Sequence, residues 1–130
     1  MKKILPIFLV ALLLVGCAAP AEEITYRQVN MDEAITMMEE ESSYIILDVR
    51  TPEEFAERHI PGAINIPNET ISAEEIPELP NKDQLILVYC RSGNRSKQAS
   101  EKLVALGYTN IVEFGGINDW PGKTVSGTGL

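Results

Sequence analysis

At 130 residues, with 45% hydrophobic and 23% charged positions, the chain has the make-up of one globular domain with a core of its own. A formal charge of −8 leaves no basic stripe to displace counterions from phosphates, which argues against nucleic acid as a partner. Any local cluster of cations in so acidic a chain points instead to a small anionic ligand.

Lys2 and Lys3 precede the apolar run Ile4–Val15, which closes in Leu14-Val15-Gly16-Cys17. A charged start and a twelve-residue apolar stretch fit a secretory signal over residues 1–16. The Leu-Val-Gly-Cys ending resembles the lipobox of bacterial lipoproteins, which implies cleavage before Cys17 and lipid on its sulfur. An uncleaved membrane helix is the alternative, but twelve residues at ~1.5 Å each cover about 18 Å of a ~30 Å hydrocarbon core. The expectation is an exported protein, lipid-anchored to a bacterial membrane through Cys17, with its domain on the extracytoplasmic side. Residues 17–23 read as a tether. With Cys17 consumed by lipid, Cys90 is the one working thiol of the two cysteines.

The folded domain is expected over residues 24–121. Ile24–Val29 alternates apolar and polar, as a half-exposed first strand does. Asn30, with Glu33 three residues on, is a capping signature that opens a helix with Ala34, Ile35 and Met38 inward. Tyr44-Ile-Ile-Leu-Asp-Val49 is nearly all apolar, as in a strand buried on both faces. Thr51-Pro-Glu-Glu54 supplies an N-cap, a proline at the first helical position and a carboxylate three residues after the cap, a strong start for a short helix. Ala63–Ile66 is a third strand. Asn68–Leu79 reads as a polar loop with one helical turn begun by Ser72, interrupted by Pro77 and Pro80.

Leu85–Tyr89 is a fourth strand and runs into Cys90-Arg-Ser-Gly-Asn-Arg95-Ser96, after which a helix extends to Leu106 and is closed by Gly107. Ile111–Phe114 is a fifth strand, followed by Gly115-Gly116 and a short turn over Ile117–Trp120. Residues 122–130 have little to bury and are expected to be a loose tail. Strands alternating with helices predict an α/β domain with a central, largely parallel five-stranded sheet flanked by helices. Ligands bind such sheets where strand ends turn into helices. Cys90 and Arg50 each follow a strand of this kind, so they share one edge.

The strand, loop and helix around Cys90 aim backbone N–H groups and a helix dipole at the thiol, which favours the thiolate. Two anion-handling cysteine chemistries fit such a loop. Protein tyrosine phosphatases use Cys-x5-Arg-Ser/Thr, wide enough for a tetrahedral phosphate. Here Cys90 to Arg95 is Cys-x4-Arg-Ser, a tighter ring suited to a single added sulfur atom.

Cys90-Arg-Ser-Gly-Asn-Arg-Ser96 resembles the active loop of single-domain rhodanese-like sulfurtransferases. Asp48-Val-Arg50-Thr-Pro-Glu-Glu-Phe55 and His59-Ile-Pro-Gly-Ala-Ile-Asn-Ile-Pro67 resemble two further signatures of that family, and Gly115-Gly116 with Trp120 its C-terminal segment. One departure is Arg58, where members usually carry glycine. The resemblance implies a rhodanese fold and a persulfide on Cys90, with the backbone of Arg91, Ser92, Gly93, Asn94, Arg95 and Ser96 holding the terminal sulfur. Arg91 would attract an anionic donor. Arg95 would do the same or brace the loop through a carboxylate, and Arg50 would face the pocket or pair with Glu54. Asp48 would tie down loops, and His59 would pack rather than act as a base. No cofactor or metal ion is called for. The expected partners are a small anionic sulfur donor and a thiol-bearing acceptor, and the domain is expected to be a monomer. A phosphatase or arsenate reductase, and a non-catalytic sulfur-carrier or sensing module, are the competing readings.

Overall fold

The computed structural model describes residues 25–128. The expected signal segment, Cys17 and the expected tether lie outside the described residues. Among the described residues there are five strands: β1 (Arg27–Gln28), β2 (Ile45–Asp48), β3 (Ile64–Asn65), β4 (Ile86–Cys90) and β5 (Ile111–Gly116). They form one sheet in the order β1-β5-β4-β2-β3, and every pairing is parallel. Helices α1 (Met31–Glu40), α2 (Pro52–Glu57) and α3 (Asn94–Ala105) connect them.

The sheet sorts side chains by the two-residue period of a strand. Leu47, Val49, Ile86, Val88 and Ile111 face one core with Ala99 and Leu103 of α3 and with Tyr108. Ile46, Leu87, Tyr89, Val112 and Phe114 face the other, with Ala34 of α1 and Phe55 of α2. Every residue of β4 is buried, which is why its sequence is an unbroken apolar run. Each such side chain is worth about 1.5–3 kcal/mol when removed from water.

Local signals set the helix starts. Asn30 Oδ1 accepts the Glu33 N–H at 2.8 Å. Thr51 and Glu54 close a reciprocal capping box with Pro52 in the first turn, each such cap contributing about 1 kcal/mol. Gly107, at φ 98°, follows α3 in the left-handed conformation that favours glycine.

Three expectations are corrected. The turn expected from Ser72 lies instead at Asn68–Thr70. Asn68 anchors it, because its N–H donates to the Val49 carbonyl and its side chain bridges Gln98 and Lys102. The first strand shrinks to two residues because β1, at the sheet edge, pairs only with β5. The C-terminal stretch is tied down as far as it is described. Val125 and His59 exchange two backbone hydrogen bonds, 2.8 and 2.9 Å, and Gly127 N–H donates to the Ala56 carbonyl at 2.7 Å. Backbone pairing holds this segment where its sequence offers little to bury. Among the described residues no helix is long and apolar enough to cross a membrane.

Candidate active site

β2 and β4 are neighbours in the sheet, and Asp48 lies opposite Tyr89. The chain therefore delivers Asp48-Val-Arg50 and Cys90-Arg-Ser-Gly93 to the same edge. The first expectation about the site holds: Arg50 and Cys90 share it.

Cys90 occupies the floor of its loop, at 1% exposure. The Gly93 N–H donates to its Sγ at 3.0 Å, and Sγ lies in hydrogen-bond contact with the Ser96 hydroxyl at 3.4 Å, accepting from it when the sulfur is ionised and donating to it when it is not. Burial pushes the thiol's pKa up, but the Ser96 hydroxyl and the backbone N–H groups of Ser96, Gly93 and Ser92 outweigh it, so the net shift is downward. This is stabilisation of an anion by neutral dipoles. The amides converging on sulfur come from Ser92, Gly93 and Ser96. Asn94 and Arg95 belong to the first turn of α3, because Gly93 at φ 115° makes the bend that starts the helix earlier than its sequence suggests.

Gly116 lets the end of β5 press on this loop. A Cβ there would lie 1.9 Å from the Arg91 carbonyl oxygen and 2.5 Å from the Ser92 nitrogen. The following turn, Ile117–Asp119, docks by Asn118 N–H to the same Arg91 carbonyl at 3.2 Å. Trp120 packs against the core behind it.

The arginines divide by task. Arg95 grips Glu54 through its two terminal guanidinium nitrogens, Nη1 and Nη2, at 2.6 and 3.0 Å. Its side chain thus braces α3 against α2 through a carboxylate, one of the two roles expected for it. That ion pair, with help from Thr51 and against partial burial, holds the Glu54 carboxyl at about 2. Arg50 pairs with Asp48 rather than Glu54: Nε lies 3.1 Å from both carboxylate oxygens and Nη2 lies 2.7 Å from one. A second Nη2 bond reaches the Arg58 carbonyl at 2.6 Å. The buried Arg50 side chain therefore contributes a wall, not a free cation. Arg91 is exposed and, with Arg50, Glu54, Glu57, Arg58, Ile117 and Asn118, lines a cleft of about 140 Å³ beside the loop.

His59 is packing, as expected. It is 2% exposed, its ring stacks on Phe55 at 3.7 Å, and Nδ1 lies 2.8 Å from the Phe55 carbonyl. Asp48 ties down its loop, accepting the Arg50 N–H at 2.9 Å. Among the described residues no three His, Cys, Asp or Glu side chains gather as a metal site.

One residue escaped the sequence reading. Glu113 in β5 is 3% exposed and sits under the cysteine loop, its Oε1 accepting from the Ser96 hydroxyl at 2.7 Å and from the Gly115 N–H at 2.8 Å. The available signal was a carboxylate two residues after Ile111, on the face that the strand period turns toward α3.

The chain is similar in sequence and fold to known proteins. The Rhodanese-like domain family model matches residues 30–123. The chain is 40% identical over 73 residues to thiosulfate sulfurtransferase PspE of Escherichia coli, a match covering 56% of this chain and 70% of that protein. It is 34% identical over 92 residues to the adenylyltransferase and sulfurtransferase UBA4 of Candida albicans, covering 65% of this chain but only 21% of that longer protein. Among solved structures, a rhodanese with anions from E. coli superposes with TM-score 0.60 at 38% identity, covering 65% of this chain and all of the other.

Proposed function

The chain belongs to the rhodanese-like family, and from that premise we propose that it is a sulfurtransferase. It moves sulfane sulfur from a donor such as thiosulfate to a thiol or cyanide acceptor through a persulfide on Cys90. The observation that carries this reading is the Cys90 thiol, held toward its anionic form by one hydroxyl and converging amides.

The chemistry divides into two displacements. The Cys90 thiolate attacks the outer sulfur of the donor, a sulfur–sulfur bond forms, and the bond to sulfite breaks with sulfite keeping the electron pair. The terminal persulfide sulfur inherits the negative charge, and the Ser92, Gly93 and Ser96 amides stabilise it as they stabilised the thiolate. Attack on that sulfur by cyanide or a thiolate then releases thiocyanate or a new persulfide and returns the Cys90 thiolate. Exposed Arg91 draws the anionic donor to the cleft. Among the described residues no carboxylate, imidazole or amine hydrogen-bonds the Cys90 sulfur, which suits a nucleophile already below its ordinary pKa.

Intact-mass analysis after thiosulfate treatment tests the reading. One sulfur atom should be gained, and Cys90→Ala should gain none; a wild-type protein that takes up no sulfur sinks it. A phosphatase or arsenate reductase requires room for four oxygens in a ring one residue tighter than the phosphatase loop. Turnover of a phosphate ester without a sulfur adduct would favour that reading. A carrier role shares the persulfide, and steady-state kinetics with cyanide and with thiols separate enzyme from carrier.

We place the domain outside the cytoplasm, lipid-anchored at Cys17. That reading rests on the order of Lys2-Lys3, the apolar run and the Leu-Val-Gly-Cys ending. The mass of the mature N-terminus tests it, since an unmodified Cys17 or an intact Met1 would overturn it.

A further inference from the structure

Of the buried carboxylates among the described residues, Asp48 and Glu113, only Glu113 lacks a countercharge, and the sulfur chemistry above does not use it. Glu113 is 3% exposed, and burying a carboxylate is expensive without a countercharge. Among the described residues the ion pairs are Arg50–Asp48 and Arg95–Glu54, so Glu113 has none. Its partners are neutral donors: the Ser96 hydroxyl, the Gly115 N–H and, more distantly, Gln28 Nε2 at 3.4 Å from Oε2. The groups around it are Gln28 and Tyr26 from the β1 side, Ser96 and the more distant Glu101 from α3, and Cys90 from β4. Arg95 senses Cys90 but is committed to Glu54.

Ser96 is fully buried and stands between the two acids, 3.4 Å from Cys90 Sγ and 2.7 Å from Glu113 Oε1. A hydroxyl has one proton to give. When Glu113 is ionised it takes that proton, and Ser96 then accepts the S–H of Cys90. When Glu113 is protonated it donates to Ser96, and the hydroxyl turns its proton to the thiolate, a charged acceptor that outcompetes the neutral Gly93 and Gly115 carbonyls at 3.0 and 3.3 Å. We propose that Cys90 and Glu113 share a proton through Ser96, making Glu113 a positioning residue that sets the ionisation of the nucleophile. The S–H proton passes to Ser96 Oγ as the serine proton passes to Glu113 Oε1. One S–H and one O–H bond break, two O–H bonds form, and no net charge enters the buried site. The same path runs backward when the persulfide gives up its sulfur and the Cys90 thiolate is released. The proposal rests on Cys90 being the nucleophile, and its test reads ionisation rather than sulfur transfer.

The experiment is the ultraviolet absorbance of the thiolate across pH, with the signal of the matching Cys90→Ala protein subtracted. Wild type should ionise Cys90 in two steps, because coupled acids titrate as a pair. Glu113→Gln keeps the shape and mimics the protonated acid. It should show one step at lower pH, with about tenfold more thiolate in the interval between the wild-type steps. Placed on Ser96→Ala, the same substitution should shift the titration far less. A Glu113→Gln effect that persists undiminished without Ser96 would mean charge acting through space and overturn the shared proton. Identical profiles for wild type and Glu113→Gln would overturn it too. Should Glu113→Gln fail to fold, wild type alone decides: a single-step titration sinks the proposal.

Discussion

Two strand ends lie side by side at the working edge of the sheet, and they stabilise negative charge in opposite ways. At the end of β2, Asp48 is met by a full countercharge, the Arg50 guanidinium, with both groups buried and their hydrogen bonds satisfied. At the end of β4, Cys90 is met in direct contact by a hydroxyl and amide dipoles rather than by a paired cation. A paired ion in a dry interior is fixed in place, since breaking it leaves an uncompensated charge. An anion held by dipoles keeps its electrons available to an incoming sulfur. Same topology, opposite chemistry: one end is scaffold and the other is reagent.

The sharpest way to break this contrast is at its rigid half. Asp48→Ala leaves the Arg50 guanidinium buried without its partner and should cost about 3–5 kcal/mol of stability, read from urea denaturation. The double variant with Arg50→Met should recover much of that loss. If Asp48→Ala unfolds no more easily than wild type, the scaffold reading of that edge fails.

The reactive half breaks by geometry rather than by charge. Gly116→Ala drives a methyl into the Arg91 carbonyl and must displace the loop that aims the amides at sulfur. Sulfur-transfer rate should fall about 10²-fold, the cost of roughly ångström-scale misplacement, measured as kcat for folded protein. A variant with normal turnover would show that the loop tolerates a shifted β5.

The smallest effect lies on the brace between the two halves. Glu54 is held at about 2, below its ordinary 4.5, chiefly by Arg95. A carboxylate lowered on folding stabilises the native state above the unfolded value and loses that contribution as pH falls through the native one. The brace should therefore add about 1–2 kcal/mol at neutral pH, after allowance for partial solvent screening, and lose it between pH 4.5 and about 2. Chemical denaturation of wild type and Glu54→Gln across that window checks the sign. Parallel curves at all pH values would remove Glu54 from the account.

Much of the molecule could be read from the chain itself, for local physical reasons. Apolar runs at Tyr44–Val49 and Leu85–Tyr89 mark buried parallel strands because no other place satisfies both faces of such a segment. Asn30 and the Thr51-Pro-Glu-Glu54 box mark helix starts because capping bonds close within four residues. Cys90 stood out by its strand, loop and helix setting and the cations that follow it. What the chain could not reveal were decisions between partners distant in sequence. Arg50 chose Asp48, Arg95 chose Glu54 across 41 positions, and residues beyond Pro121 paired with His59; each choice depended on which groups packing brought within reach. Glu113 shows the limit best. Its position in β5 was visible, but only the stacking of β5 against β4 and α3 placed its carboxylate 2.7 Å from the serine that touches Cys90. Sequence supplied the candidate nucleophile and the fold; tertiary packing determined which neighbouring charges were neutralised and which were left to act.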